Sequence, residues 1–451
     1  MSTLLARHAH IVVTMDAGRR EIAGGGLFAR DGVIESVGPD ATLPQTADIV
    51  MDLSGQILLP GLINGHHHLD QTLTRALPEA QNAGLFDWLK AHYAIWARRT
   101  PEASRTATLI GCAELMLSGC TTVFDHAYVF QNGCRVDDQI AAAAELGMRF
   151  AVSRGSMSVG QSKGGLPPDS CVENEDAIMA DCERVIARFH NPRPGSMCQI
   201  VLAPCSPFSV SETLLRQSAL LARAQAVRLH THLCETGDEE RYTRAHFGKR
   251  PVGYMEGLGW TGPDVWFAHG VHMNAAEIGL MSRSKTCVCH CPSSNMRLGS
   301  GIAPIRAYRD AGVGVALGVD GSASNDGGCL LGEARQAMLL SRVQAANPRH
   351  WLKAREVLEM ATLGGAAALG RQDIGALEAG RQCDFFSIGL EVPAYAGAMA
   401  DPVAALVFCA PQKAREVVVG GRIVVREGRI TAMEMAPVVR AHNRCARALL
   451  G

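Results

Sequence analysis

The segment Pro60-Gly61-Leu62-Ile63-Asn64-Gly65-His66-His67-His68 places His66 and His68 two residues apart, directly after an apolar run. On an extended backbone, residues at i and i+2 project to one face, so the two imidazoles can grip a single cation. Three further strand-like runs each end in a residue suited to metal ligation or proton transfer: Leu229 to Glu235, Trp266 to His269, and Val315 to Asp320. Four such strand ends need a common centre. In the downstream run both His230 and His232 alternate to the same face, and spacing alone does not choose between them.

The elements that must bring these ends together follow from the pattern along the chain. Residues 1 to 60 hold short alternating runs, such as Ala9 to Met15 and Gly32 to Gly38, which predict a small antiparallel β region. From about Pro60 to about residue 370, apolar strand-like runs alternate with Ala-, Leu- and Arg-rich stretches of helical length. Ala103 to Ser118 precedes Thr121 to Asp125, Gln139 to Leu146 precedes Arg149 to Val152, and Ser211 to Ala226 precedes Val227 to His232. Repeated strand and helix units over this length imply a parallel sheet, and a closed (β/α)8 barrel is the common form at this size. Glu416 to Gly428 then predicts a hairpin turning at Gly420-Gly421. The expected organisation is α/β: a distorted (β/α)8 barrel over 61–369, and a composite β-sandwich built from 1–60 and 370–451.

Composition narrows the function. Of 451 residues, 47% are apolar and 19% charged, as in a well-buried globular chain. A formal net charge of -1 gives no electrostatic case for nucleic acid or an anionic membrane, which leaves a small-molecule ligand. The 15 cysteines are scattered through apolar stretches, as reduced core thiols are in the cytoplasm, and Arg7, His8 and His10 interrupt any signal-peptide core. Cys287, Cys289 and Cys291 share a strand face, yet no second ligand pair at finger spacing completes a tetrahedron, so packed thiols are expected.

Pro60 to His68, His230-Thr231-His232-Leu233-Cys234-Glu235, Ala268-His269-Gly270, Pro292 to Asn295 and Leu317 to Gly321 occur in this order. With them the chain resembles the amidohydrolase superfamily, in its branch of mononuclear-metal aminohydrolases, over essentially its whole length. The resemblance implies a distorted barrel with a split β-sandwich, and one divalent ion held by His66, His68, His232 and Asp320. It selects His232 over His230, because the family ligand stands three residues before the glutamate. Imidazoles and one carboxylate suit zinc, or alternatively iron. A bound ion lowers the pKa of water toward neutrality. In the implied mechanism Asp320 takes a proton from that water, Glu235 carries protons to a ring nitrogen, His269 gives electrostatic support, and ammonia leaves. His67 is expected to point away, and His290 to lie near the metal behind its ligands.

The implied substrate is a heterocycle. Gln71 resembles the glutamine with which guanine deaminases read the purine edge, and an amide both donates and accepts, as a lactam-amidine edge requires. Trp88 is expected to wall the ring by stacking. Cys205, in Pro204-Cys205-Ser206-Pro207, stands where adenosine-type relatives carry a histidine, and the arginine-phenylalanine pair of guanine deaminases is absent. Together these features most resemble the 8-oxoguanine deaminases, which also act on isocytosine-like rings. The alternatives are an s-triazine, pterin or guanine aminohydrolase, or a halide-releasing relative. A homodimer is expected, since apolar-rich barrels of this kind often pair.

Overall fold

The computed structural model of the chain describes residues 2–451. Eight parallel strands pair in chain order: β1 (Leu62–Asn64), β2 (Cys120–Asp125), β3 (Arg149–Ser156), β4 (Cys198–Pro204), β5 (Arg228–Leu233), β6 (Val265–His269), β7 (Cys287–His290) and β8 (Val315–Leu317). Strands β2, β3, β6 and β7 are buried at every residue. This is the burial expected of strands covered on both faces, and it matches the apolar run of β6, whereas β2 and β3 also bury Thr121, Thr122, Ser153 and Arg154.

The sheet curls until β8 meets β1, and the seam there closes beyond the ends of both strands. Gly65 N donates to Leu317 O at 2.9 Å and Asp320 N donates to His66 O at 3.0 Å. A short parallel pair, His67–His68 with Asp320–Gly321, completes the closure. The seam is thus stitched by the segments that carry His66, His68 and Asp320.

Helices cover the barrel where the sequence periodicity expects them. Pro101–Leu117 leads into β2, Val136–Leu146 into β3, and Glu212–Ala224 into β5. The last of these starts at Ser211, whose hydroxyl accepts from Leu214 N at 3.0 Å, and it buries Leu214, Leu215, Ala219 and Ala222 against the sheet. The cap satisfies a backbone donor that the first turn leaves orphaned, and the apolar stripe supplies the packing.

Both ends of the chain build one mixed sheet of nine strands. The join is the antiparallel ladder between Gln56–Pro60 and Phe385–Gly389. The expected hairpin is present, with Gly420 at φ 55° and Gly421 at φ 77°, left-handed angles that suit a two-residue turn. One difference from the sequence reading lies in the N-terminal region. Thr3–Val13 pairs antiparallel with Glu21–Arg30, but parallel with both Ile49–Asp52 and Gln56–Pro60. A register break between Ala6 and Ala9 divides that strand, so its first half serves one parallel partner and its second half the other.

The terminal sheet is tied to the barrel by a buried ion pair. Arg149, 1% exposed, donates from Nε and Nη2 to the two carboxylate oxygens of Asp384, each at 2.9 Å, and from Nη1 to Gly195 O and Ser196 O. Asp384 also accepts from Gly420 N at 2.6 Å, so one carboxylate joins the start of β3 to the hairpin turn. Removing one member of such a pair strands the other charge in the interior. Asp384→Ala is therefore expected to destabilise the protein by about 3–5 kcal/mol, read as a lowered midpoint in urea with an unchanged slope.

Candidate metal centre and active site

The carboxyl ends of the barrel strands converge on one cluster. His68 Nε2 stands 3.0 Å from His232 Nε2, and Asp320 Oδ1 stands 3.3 Å from both His66 Nε2 and His68 Nε2. The ligand atoms of His66, His232, His269 and Asp320 lie within 4.8 Å of one another, as do those of His66, His68, His126 and His232. Donors on a tetrahedral centre with bonds of about 2.0–2.1 Å are separated by about 3.4 Å, so the spacing of the first set of contacts fits a zinc-sized ion.

The protonation pattern fits as well, and it can be worked out from hydrogen bonds alone. His68 Nδ1 faces His126 O at 2.7 Å, and His232 Nδ1 faces Cys205 O at 2.7 Å. A carbonyl can only accept, so each Nδ1 carries the proton and each Nε2 keeps a free lone pair. His66 obtains the same tautomer through a relay. His230 Nδ1 faces Trp266 O at 2.9 Å and must donate, which leaves His230 Nε2 as acceptor for His66 Nδ1, also at 2.9 Å. His66 Nε2 is then bare, buried and without a partner. Burial pushes His66 down to about 3 and His230 and His232 well below the ordinary histidine range, so these rings are neutral. Strand spacing left His230 and His232 equivalent and the resemblance chose His232; here they differ in kind, since both nitrogens of His230 are used within the protein, whereas His232 presents Nε2 to the cluster.

The acidic residues sit in contrasting surroundings. Asp320 is buried, yet its carboxylate has two fixed donors. Its Oδ1 accepts from Gly321 N at 2.7 Å and its Oδ2 from Ser324 Oγ at 3.2 Å. Burial raises Glu235, against the opposing pull of His269. His269 Nε2 lies 3.5 Å from Glu235 Oε2 and 3.9 Å from Asp320 Oδ2, while its Nδ1 faces Asn295 Oδ1 at 2.9 Å. Cys234, His269 and Asp320 have φ of 56°, 72° and 60°. Left-handed backbone at residues other than glycine costs about 1–2 kcal/mol each. Three such residues at neighbouring strand ends mark where the chain bends sharply to turn side chains into the centre.

Glu239 holds one of these bends. In the first turn of the helix Gly237–Phe247, its carboxylate accepts from Cys234 N at 2.9 Å and Glu235 N at 3.1 Å. Burial pushes its acid up to about 8 even with those two donors in place.

A cavity opens beside the cluster, lined by His68, His232, Glu235, His269 and Asp320 on the barrel side. Each residue expected to meet the substrate lines it too: Gln71, Trp88 and Cys205. The Gln71 amide lies so close to the backbone at Gly321 that a Cβ there would meet its Oε1 at 1.7 Å. Trp88 donates from its indole nitrogen to Ala323 O at 3.0 Å, which fixes the ring plane in the wall. Burial pushes the Cys205 thiol up to about 12, so it faces the cavity as a neutral thiol.

Several residues here were beyond the sequence reading. His126, just past β2, stacks on His232 with centroids 4.7 Å apart. Its only sequence signal was its place after Asp125 at a strand end. Glu239, Tyr93 and Tyr128 carry no motif in the sequence that sets them apart. His67 points to the backbone, its Nδ1 accepting from His68 N at 2.7 Å. Cys289 and Cys291 are fully buried and Cys287 nearly so, in a cluster at the barrel interior, and all three are free thiols.

The chain belongs to the amidohydrolase family, whose profile matches residues 57–424, and it is a hydrolase of the aminohydrolase type. It is 46% identical to the 8-oxoguanine deaminase of Pseudomonas aeruginosa, over 95% of each chain. It is 37% identical to the hydroxydechloroatrazine ethylaminohydrolase of Pseudomonas sp. (strain ADP), covering 100% of this chain and 96% of that one. Among solved structures, the zinc complex of atrazine chlorohydrolase from Arthrobacter aurescens TC1 superposes with a TM-score of 0.94, at 34% identity, over 98% of this chain and 100% of that one. Among the described residues, no helix is long and apolar enough to cross a membrane.

The tautomer relay makes a measurable claim. His230→Phe removes the acceptor that holds the proton on His66 Nδ1, and is expected to weaken zinc affinity about 10–100-fold, as loss of a ligand's hydrogen-bond partner does elsewhere. Competition with a metallochromic chelator measures this. Wild-type protein should take up one zinc ion per chain.

Proposed function

We propose that the protein is a zinc-dependent 8-oxoguanine deaminase, converting 8-oxoguanine to urate and ammonia and accepting isocytosine-like rings. The observation that carries this reading is that Gln71 and Cys205 line one cavity with Glu235 and Asp320, in a chain 46% identical to an 8-oxoguanine deaminase. His66, His68, His232 and Asp320 would hold the ion. When bound, it would supply Lewis acidity that brings water within reach of deprotonation at neutral pH.

The protein's own residues account for the remaining work. Asp320, fixed by Gly321 N and Ser324 Oγ, accepts a proton from the attacking water at Oδ2, the oxygen farther from His66 and His68 and nearer His269. The oxygen adds to the ring carbon that bears the amino group. Glu235, its acid form favoured by burial, delivers a proton to the adjacent ring nitrogen, so the C=N bond becomes a C–N single bond. His269, oriented by Asn295, lies between the two carboxylates and stabilises charge at the attacking oxygen. The amino group then leaves as ammonia with a further proton, and the carbonyl forms. Gln71 offers an acceptor and a donor to the lactam-amidine edge, and Trp88 closes the wall against which a planar ring packs.

A second reading, release of an amine or chloride from an s-triazine, draws on the 37% identity to an ethylaminohydrolase and the TM-score of 0.94 to a chlorohydrolase. Zinc-loaded protein should be assayed side by side for ammonia from 8-oxoguanine, isocytosine, guanine and isoxanthopterin, and for chloride or alkylamine from triazines. Fastest turnover on 8-oxoguanine with isocytosine second is expected; efficient triazine turnover with none on 8-oxoguanine would sink the first reading.

Glu235→Gln is expected to cut kcat by at least about a thousandfold while metal content stays at the wild-type level. Glu239→Gln keeps the shape but loses one acceptor for the bend that aims Glu235, and a drop in kcat of about tenfold is expected, with zinc retained.

A further inference from the structure

The cavity has a floor and a cover of different character. The floor is the barrel end with its histidines and carboxylates. The cover is the helix Leu85–Trp96, which contributes Leu85, Trp88, Leu89 and Tyr93 to the lining. Two of these are aliphatic, and the indole N–H of Trp88 is already engaged with Ala323 O. That leaves one polar group on this helix available to a ligand in the cavity, the hydroxyl of Tyr93. The side chain is 0% exposed, and its hydroxyl has no hydrogen-bond partner. The residue is held from behind, where Cys171 Sγ donates to Tyr93 O at 3.4 Å and the ring meets Trp96 edge to face.

A buried hydroxyl without a partner costs about 1–3 kcal/mol, which a bound molecule can recover by completing its hydrogen bonds. The other buried side-chain atom of the lining that lacks a partner is Gln71 Oε1. Gln71 stands against Gly321, beside Asp320, at the end where the amino group must be displaced. Tyr93 reaches the cavity from the helix Leu85–Trp96 and Gln71 from the segment after His68, so the two atoms approach from different elements. A ligand that satisfies both must therefore present two separate polar edges.

We propose that the Tyr93 hydroxyl is a specificity-determining residue that hydrogen-bonds the five-membered ring of an 8-oxopurine, at its C8 carbonyl or the flanking ring N–H. The inference rests on the deaminase reading above and deepens it. A phenol serves this edge well because it donates to a carbonyl and accepts from a ring N–H. Burial also raises the phenol well above its ordinary range, so it stays protonated and able to donate. A site built to pair a substrate's polar group discriminates strongly against molecules that lack it, because its own buried group is then left unpaired.

Isocytosine supplies the control, since it carries the amidine edge that would face Gln71 but no five-membered ring. Tyr93→Phe keeps the ring and its packing. In the zinc-loaded variant, kcat/KM for 8-oxoguanine is expected to fall about 10–100-fold while that for isocytosine stays within about twofold. Zinc content should match the wild type, and the melting temperature should be no lower than the wild type's, because the variant removes an unpaired buried hydroxyl. An equal loss on both substrates would assign the hydroxyl to pocket architecture, and no loss on either would remove it from recognition; each overturns the inference. If the wild-type protein itself fails to turn over 8-oxoguanine, the deaminase reading falls first, an outcome separable from the other two because it appears before any substitution is made.

Discussion

The arrangement depends on keeping several buried imidazoles neutral and correctly turned. A ring that rotates by half a turn, or shifts its proton to the other nitrogen, withdraws its lone pair from the centre. The chain prevents this by giving the outward nitrogen of each candidate ligand one fixed partner: His126 O for His68, Cys205 O for His232, and His230 for His66. Each partner is in turn part of a strand or its immediate extension, so the barrel backbone sets the orientation of the chemistry. Burial contributes as well, since it disfavours the imidazolium form that would repel a cation.

The same segments close the barrel. Strands β1 and β8 are the shortest part of the ring, and they meet through His67–His68 and Asp320–Gly321, which carry or flank three candidate ligands. A centre that draws His66, His68 and Asp320 together also draws the first strand to the last. The left-handed backbone at Cys234, His269 and Asp320 shows the conformational cost of turning side chains inward at these strand ends. That cost is offset locally, for example by Glu239, which binds the two amides on either side of the bend before Glu235.

Much of this was legible in the sequence because barrel strands such as Val265–His269 and Val315–Leu317 have both faces covered and read as apolar runs, with a ligand-type residue at or just beyond the end. His66, His68, His232, Glu235, His269 and Asp320 all stand at or just beyond such ends, and the structure brings them to one cluster beside a cavity that Gln71, Trp88 and Cys205 also line. What was illegible depends on contacts between distant segments. Nothing local distinguishes His230 from His232, since the difference arises from Trp266 O on the next strand. His126 stacks on His232 from another strand end, and Tyr93 enters the cavity lining from a helix far from the histidine motif in the chain. The parallel pairing of Thr3–Val13 was equally hidden, because alternation reveals a strand but not the direction of its partner.

The nine-stranded sheet that joins the two ends of the chain has a consequence for biosynthesis. Gln56–Pro60 runs straight into the first barrel strand, yet one of its edges stays open until Phe385–Gly389 arrives. On the ribosome, more than three hundred residues must emerge before that edge is covered, and in the interval it offers unpaired amides to any neighbouring chain. Successful folding in the cell should therefore depend on what shields the N-terminal strands during translation, and truncations that remove the last few strands should favour aggregation over a smaller folded core.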